Sequence, residues 1–145
     1  PTYETFVREH QLEKYVRLEG WQDVSRFPSY IMASQLCLSP IHRNIHHDTT
    51  YANKVFQYLS LGKPVLVSDA TAQANIAKDH ACGLVHEAEN AQDFAEKVKW
   101  LYQHPEERGD MGQKGKDFVR NNFTWAHTSK GMTDLYEKWR QKLKA

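Results

Sequence analysis

Two adjacent stretches of the chain carry residues able to act on a ligand. The first is the polar segment 41–51 (IHRNIHHDTTY), which gathers His42, His46, His47 and Asp48 and follows them with Thr49 and Thr50. In the second, NKVFQYLS at 53–60, Asn53, Gln57 and Ser60 recur at i, i+4 and i+7 and share one side of a helix. Ala52, Val55, Phe56 and Leu59 fall on the other, apolar side. The carboxamide of Gln57 both donates and accepts hydrogen bonds, which suits a ribose hydroxyl pair. The first amides of a helix have no partner within it and sit at the positive end of its dipole. They favour an anion such as a diphosphate. Imidazoles beside a carboxylate also resemble a metal site. The loop therefore admits three readings: a phosphate or sugar contact, plain solvated polarity, and, carrying the least weight, a metal site.

The elements that must position these residues read as alternating strands and helices. Short apolar runs at 15–19 (YVRLE), 35–39 (QLCLS), 64–68 (PVLVS) and 82–86 (CGLVH) are expected strands. The second and third are nearly all apolar, as strands covered on both faces are. Helical patterns are expected at 24–34, 52–61, 72–79, 91–104 and 105–121, with Pro105 in a first turn. In 91–104 the helical stripe is Ala91, Phe94, Ala95, Val98, Leu101 and Tyr102. Gly62 is placed to end the helix before it, and Pro64 keeps that helix from continuing. The polar loop then lies past the carboxyl end of one parallel strand, where α/β folds bind ligands. Thr124 is expected to cap a long C-terminal helix with Thr128, Met132, Leu135, Tyr136, Trp139 and Leu143 on one stripe. The expected fold is α/β, a Rossmann-like parallel sheet flanked by helices.

Bulk properties narrow the function classes. The chain has 145 residues, 40% hydrophobic and 26% charged, which suits one globular domain with a true core. A net charge of +1 gives no field that would attract nucleic acid. No apolar run approaches the roughly 20 residues of a membrane span. Cys37 and Cys82 both sit in apolar runs, so buried free thiols are expected ahead of a disulfide. Pro1 opens the chain with a helical pattern already under way over 2–11, and four strands are few for a nucleotide-binding sheet. The chain is expected to be a piece of a longer one, truncated at its start.

At this point the sequence resembles a known family. FQYLSLGKPV at 56–65 is similar to the hallmark (F/L)-E-(A/Y)-(M/L)-A-x-G-K-P-V of retaining GT-B glycosyltransferases of the GT4 type. Asn53-Lys54 matches a subgroup reading N-K-x-x-E-Y, found among enzymes that build bacterial surface polysaccharides. Further stretches fit in order: VRLEGW at 16–21 resembles V-x-F-x-G, SQLCLSP at 34–40 resembles A-D-x-x-L-x-P, DHACGLV at 79–85 resembles x-x-x-x-G-L-V, and Phe123-Thr124-Trp125 resembles F-S-W. The resemblance covers about residues 5–140, and the order of the motifs is more specific than any one of them.

The resemblance implies a donor-binding C-terminal domain of a GT-B enzyme. Gly20 and Trp21 would lie against the nucleotide base. Two family glutamates with seven residues between them would contact ribose and donor sugar; Gln57 holds the ribose position and Thr49 the sugar position, with Asp48 one place away. Asp48, Thr49, Thr50, Asn53, Lys54 and Gln57 are thus the expected donor-binding residues beside Gly20 and Trp21. No residue is assigned as catalytic. The expected donor is a nucleotide diphosphate sugar, UDP- or GDP-hexose, with no metal and no other cofactor. The acceptor, a saccharide or lipid-linked sugar, would come through a missing N-terminal domain, which also carries the basic groups that neutralise the diphosphate. Residues 1–122 would form the partial nucleotide-sugar-binding domain, and 123–145 a helix packing back toward that missing domain. The expected location is cytoplasmic, with peripheral contact at the inner face of the membrane. Gln57 keeps hydrogen bonding but loses the charge, so a second reading stands beside the first: a degraded GT-B-like module that binds nucleotide or acts as a scaffold. A sugar epimerase of related fold is a distant third. His80 and His86 have no patterned partner.

Overall fold

A computed structural model describes residues 2–143, and the chain divides after Tyr30 into two units. In the first unit, helix α1 (Tyr3–Glu9) starts at a true cap: Thr2 accepts a hydrogen bond from the Thr5 amide at 3.3 Å. The pattern over 2–11 is thus a short helix from its beginning rather than the middle of one. The strand expected at 15–19 is absent. The amides of Tyr15 and Val16 both bond the carbonyl of Leu12, so the chain turns there. A strand exists only through its ladder partner, and none pairs with this segment among the described residues. The helix expected at 24–34 begins as a 3-10 turn (Val24–Arg26) capped by Asp23 and continues as α2 (Phe27–Ala33).

The second unit holds β1 (Cys37–Ser39), α3 (Ile45–Thr49), α4 (Asn53–Ser60), β2 (Val65–Ser68), α5 (Thr71–Asp79), β3 (Gly83–His86), α6 (Ala91–Gln103), α7 (Pro105–Asn122), α8 (Trp125–Thr128) and α9 (Lys130–Lys142). The strands form a parallel sheet in the order β1-β2-β3. Central β2 is buried throughout, as its apolar run requires. Val65 and Val67 pack with Val55 and Leu59 of α4, Ile76 and Ala77 of α5, Cys82, and Val119 of α7. Gly83 pairs with Val65, and a Cβ there would overlap the Val65 carbonyl oxygen. Gly62, at φ +73°, ends α4 as its position predicts. Lys63 Nζ donates to the carbonyl of Met32, in the same unit, 2.8 Å away.

Both cysteines are buried and free. Burial pushes the Cys82 thiol up to about 11 and raises Cys37 as well. The expected long C-terminal helix is present as α9, with the short α8 before it across Ser129. Thr124 sits at the cap position, but its hydroxyl bonds the His127 ring at 2.7 Å rather than a backbone amide. On α6, Phe94, Val98 and Leu101 face inward, whereas Ala91, Ala95 and Tyr102 are exposed. A stripe of six in fourteen positions is wider than the surface β3 and α7 offer.

Two polar devices fix the carboxyl edge of the sheet. Gln73 of α5 is only 1% exposed. Its Nε2 donates to the Ser39 carbonyl at 3.0 Å and to Ser68 Oγ at 2.8 Å, and its Oε1 accepts from Ser39 Oγ at 2.8 Å. Ser68 Oγ in turn donates to the Ile41 carbonyl at 2.6 Å. The exits of β1 and β2 are thereby tied to one side chain. Asp48 at the end of α3 is the second device. Its Oδ1 accepts from the Thr71 amide at 2.8 Å and the Thr71 hydroxyl at 3.1 Å, capping α5 from outside.

Gln73→Leu leaves the Ser39 hydroxyl without a partner in the interior and strips one donor each from the Ser39 carbonyl and the Ser68 hydroxyl; it is expected to lower unfolding free energy by about 2 kcal/mol, read from denaturant midpoints. For Asp48, the Thr71 amide bond, assisted by Arg43, holds the carboxyl below its ordinary range. Its contribution is therefore complete above the unfolded value near 4 and is lost as pH falls through the lower folded value. Thermal melts between about pH 3 and pH 6 should show an acid-side loss of stability that Asp48→Asn reduces.

Candidate functional site

Helix α4 begins past the carboxyl end of β1, after the connection through α3. Its N-cap position is Ala52, which offers no side-chain hydrogen bond, while Asn44 and Asn90 cap α3 and α6. The Val55 amide bonds the Ala52 carbonyl at 2.9 Å. The amides of Asn53 and Lys54 precede any intrahelical acceptor and remain for a ligand. Val55 and Leu59 are buried, and Asn53, Gln57 and Ser60 are exposed, so the polar stripe lies outward as its spacing predicts. Ser60 is taken up locally, donating to the Gln57 carbonyl at 2.8 Å. The side chains of Asn53 and Gln57 bond none of the described residues. An aromatic group backs the start of the helix. Phe56 stacks on Phe123 with centroids 4.2 Å apart, and Tyr51 meets both rings edge-on.

The segment 41–51, expected as a plain loop, contains α3. Asn44 caps it, accepting from the His47 amide at 2.8 Å. The signal was an Asn ahead of Ile45, a sequence pattern for a helix start that the cluster of histidines obscured. His47 Nδ1 lies 2.6 Å from the His42 carbonyl, and His42 Nδ1 pairs with Glu89 at 3.1 Å. No group of three His, Cys, Asp or Glu residues is arranged to hold a metal ion among the described residues.

Arg43 was not singled out from the sequence. Its guanidinium lies 3.4 Å from Asp48 and 3.6 Å from Asp69, while Asp69 Oδ1 accepts from the Ala88 amide at 3.0 Å. This ladder joins the exits of β1, β2 and β3. Asp48 is thus engaged by other residues of the chain. The Thr49 hydroxyl donates back to the Ile45 carbonyl at 2.7 Å, and Thr50 turns extended to leave the helix. Of the expected residues in this unit, the structure brings Asp48, Thr49 and Thr50 to the end of α3, while Asn53, Lys54 and Gln57 lie on α4. In the first unit Gly20 takes φ +63° and Trp21 is 87% exposed.

Comparison with known proteins matches this architecture. The profile of the glycosyl transferase-like family covers residues 5–134. The chain is 23% identical over 84 residues to spore coat protein SA of Bacillus subtilis and 30% identical over 80 residues to an uncharacterized glycosyltransferase of Methanocaldococcus jannaschii. These alignments cover 57% and 55% of this chain but only 22% of each relative, so the chain spans about a fifth of their length. Among solved structures, a sucrose-phosphate synthase from Thermosynechococcus elongatus superposes with TM-score 0.82 at 20% identity, over 96% of this chain and 34% of that one. The C-terminal domain of a group 1 glycosyl transferase from Francisella tularensis gives 0.70 at 21% identity, over 84% and 60%. With 130 residues under the family profile and this parallel sheet beneath them, the chain belongs to the glycosyl transferase-like family and has the fold of a GT-B C-terminal domain.

Proposed function

We propose that the parent protein transfers a hexose from a UDP- or GDP-linked donor to a saccharide or lipid-linked acceptor in polysaccharide or glycoconjugate synthesis, and that α4 receives the donor. The observation that carries this reading is the uncapped amide end of α4 at the carboxyl edge of the sheet, flanked by exposed Asn53 and Gln57. The diphosphate meets the amides of Asn53 and Lys54, where the helix dipole favours its charge. Lys54 adds a cation, Thr49 and Thr50 stand at the approach to the helix, and Gln57 takes the ribose hydroxyls. Asp48 supports the site from behind by fixing α3 against α5. In the first unit, Gly20 and Trp21 are the residues that the family resemblance assigns to the base.

Stabilisation of the leaving diphosphate by fixed dipoles is the main catalytic work on this reading, with retention of configuration. The acceptor and any catalytic base come from an N-terminal domain. The exposed stripe of α9, with Trp139 63% exposed, is the surface that meets that domain. No helix among the described residues is long and apolar enough to cross a membrane. We place the reaction in the cytoplasm at the inner membrane face, with the Lys-rich tail near anionic lipid.

A second reading, a nucleotide-binding scaffold without chemistry, is favoured by the Gln57 and Thr49 positions, which put no carboxylate on the donor side of α4. Gln57→Glu in the full-length protein separates the two: a fall in transfer marks Gln57 as the working ribose ligand, and a large gain marks a degraded site. The chain alone is expected to transfer no sugar and to bind UDP or GDP with Kd of about 1 mM. In an NMR titration the amides of Asn53, Lys54 and Gln57 should shift, and Gln57→Ala should weaken binding about fivefold. Absence of shifts at these amides would remove the binding claim.

A further inference from the structure

Tyr51 stands one position before Ala52, the uncapped start of α4, and is 52% exposed. Its ring is held in place by two others. It meets Phe56 edge-to-face with centroids 5.8 Å apart and Phe123 with centroids 6.2 Å apart, and those two rings stack on each other. Edge-to-face pairs are favourable at these separations, so the phenol has a defined seat. Phe56 follows Asn53 at i+3, which makes the two neighbours on the helix surface. Side chains on a helix lean toward its N-terminus. A ring seated on Phe56 therefore stands beside the first turn, close to the amides of Asn53 and Lys54.

The polar side chains just before Tyr51 are largely spent. Asp48 is taken up by Thr71 and Arg43. The Thr49 hydroxyl donates back into α3, to the Ile45 carbonyl. The Tyr51 hydroxyl has no hydrogen-bond partner among the described residues. A phenol both donates and accepts, which suits a sugar hydroxyl.

The order of groups along a nucleotide sugar decides which part of it reaches Tyr51. With the ribose on Gln57 and the diphosphate on the first amides, the nucleoside lies toward the body of α4. The hexose is joined to the other end of the diphosphate and lies toward the segment that leads into the helix. We propose that Tyr51 is a specificity-determining residue for the donor sugar, with its phenol hydroxyl bonded to one hydroxyl of the hexose. This role rests on the donor reading of α4 given above. A site that bonds one particular hydroxyl discriminates against a sugar that lacks it in that place. Tyr51 thus supplies the sugar contact that the Thr49 hydroxyl, donating within its own helix, does not.

The test is a 15N-NMR titration of the 145-residue chain and of Tyr51→Phe with UDP, UDP-glucose, UDP-galactose, GDP and GDP-mannose. The variant keeps the ring and both of its edge contacts and loses only the hydroxyl. Every nucleotide that binds is expected to shift the amides of Asn53, Lys54 and Gln57. At least one nucleotide sugar is expected to shift those of Thr50 and Tyr51 as well. Tyr51→Phe should weaken binding of that nucleotide sugar about fivefold and leave binding of the matching nucleoside diphosphate unchanged. A residue that merely shapes the first turn would affect both ligands alike, and an equal loss on both overturns the proposal. Undiminished binding of every nucleotide sugar by the variant overturns it too, as does a parent chain in which no nucleotide sugar shifts Thr50 and Tyr51. In each of these cases nucleotide shifts on α4 leave the donor reading standing. Absence of any nucleotide shift on α4 removes that reading and this proposal together.

Discussion

The carboxamide of Gln73 holds together the carboxyl edge of the sheet, from which the chain runs on to α3 and α4. It lies inside the protein between the exits of β1 and β2, bonded to Ser39 and Ser68, and Ser68 passes the constraint to the Ile41 carbonyl. A polar side chain is acceptable there because its groups are paired; the same amide without partners would destabilise the core. Everything downstream of Ile41 inherits this fixed start. The chain leaves the edge at a set angle, forms α3, and reaches α4 with its first amides turned out of the local structure. Asp48 and Arg43 add a second, more exposed restraint by linking α3 to Thr71 and Asp69. That outer ladder depends on charge, and the inner one does not.

The parts legible in the sequence were those decided locally. The run from Asn53 to Ser68 shows its helix by the apolar side, its end by Gly62, and its strand by an unbroken apolar segment; the structure keeps all three. The strand at 15–19 had the right composition but needed a partner that composition does not reveal. Helix α3 was hidden because its cap lay in a cluster of histidines that suggested chemistry. Within the site, the exposure of Asn53 and Gln57 follows from spacing alone. The engagement of Asp48 does not, since its partner Thr71 is 23 positions away and belongs to another helix. Arg43 and Gln73 were missed for the same reason: each gains meaning from a contact distant in sequence, with Asp69 and Ser39 respectively.

The family and the fold therefore stand on a broader base than any single site residue. A match over residues 5–134 and a shared sheet topology describe the scaffold. What the scaffold binds depends on local chemistry at its carboxyl edge. The start of α4 offers unpaired backbone donors suited to an anion.

The most direct measurement is a crystal structure of the chain grown with a saturating nucleoside diphosphate, UDP or GDP. The account predicts phosphate oxygens within hydrogen-bond distance of the Asn53 and Lys54 amides, with the Gln57 side chain on the ribose. A nucleotide seated elsewhere, with the first turn of α4 bare, would contradict it.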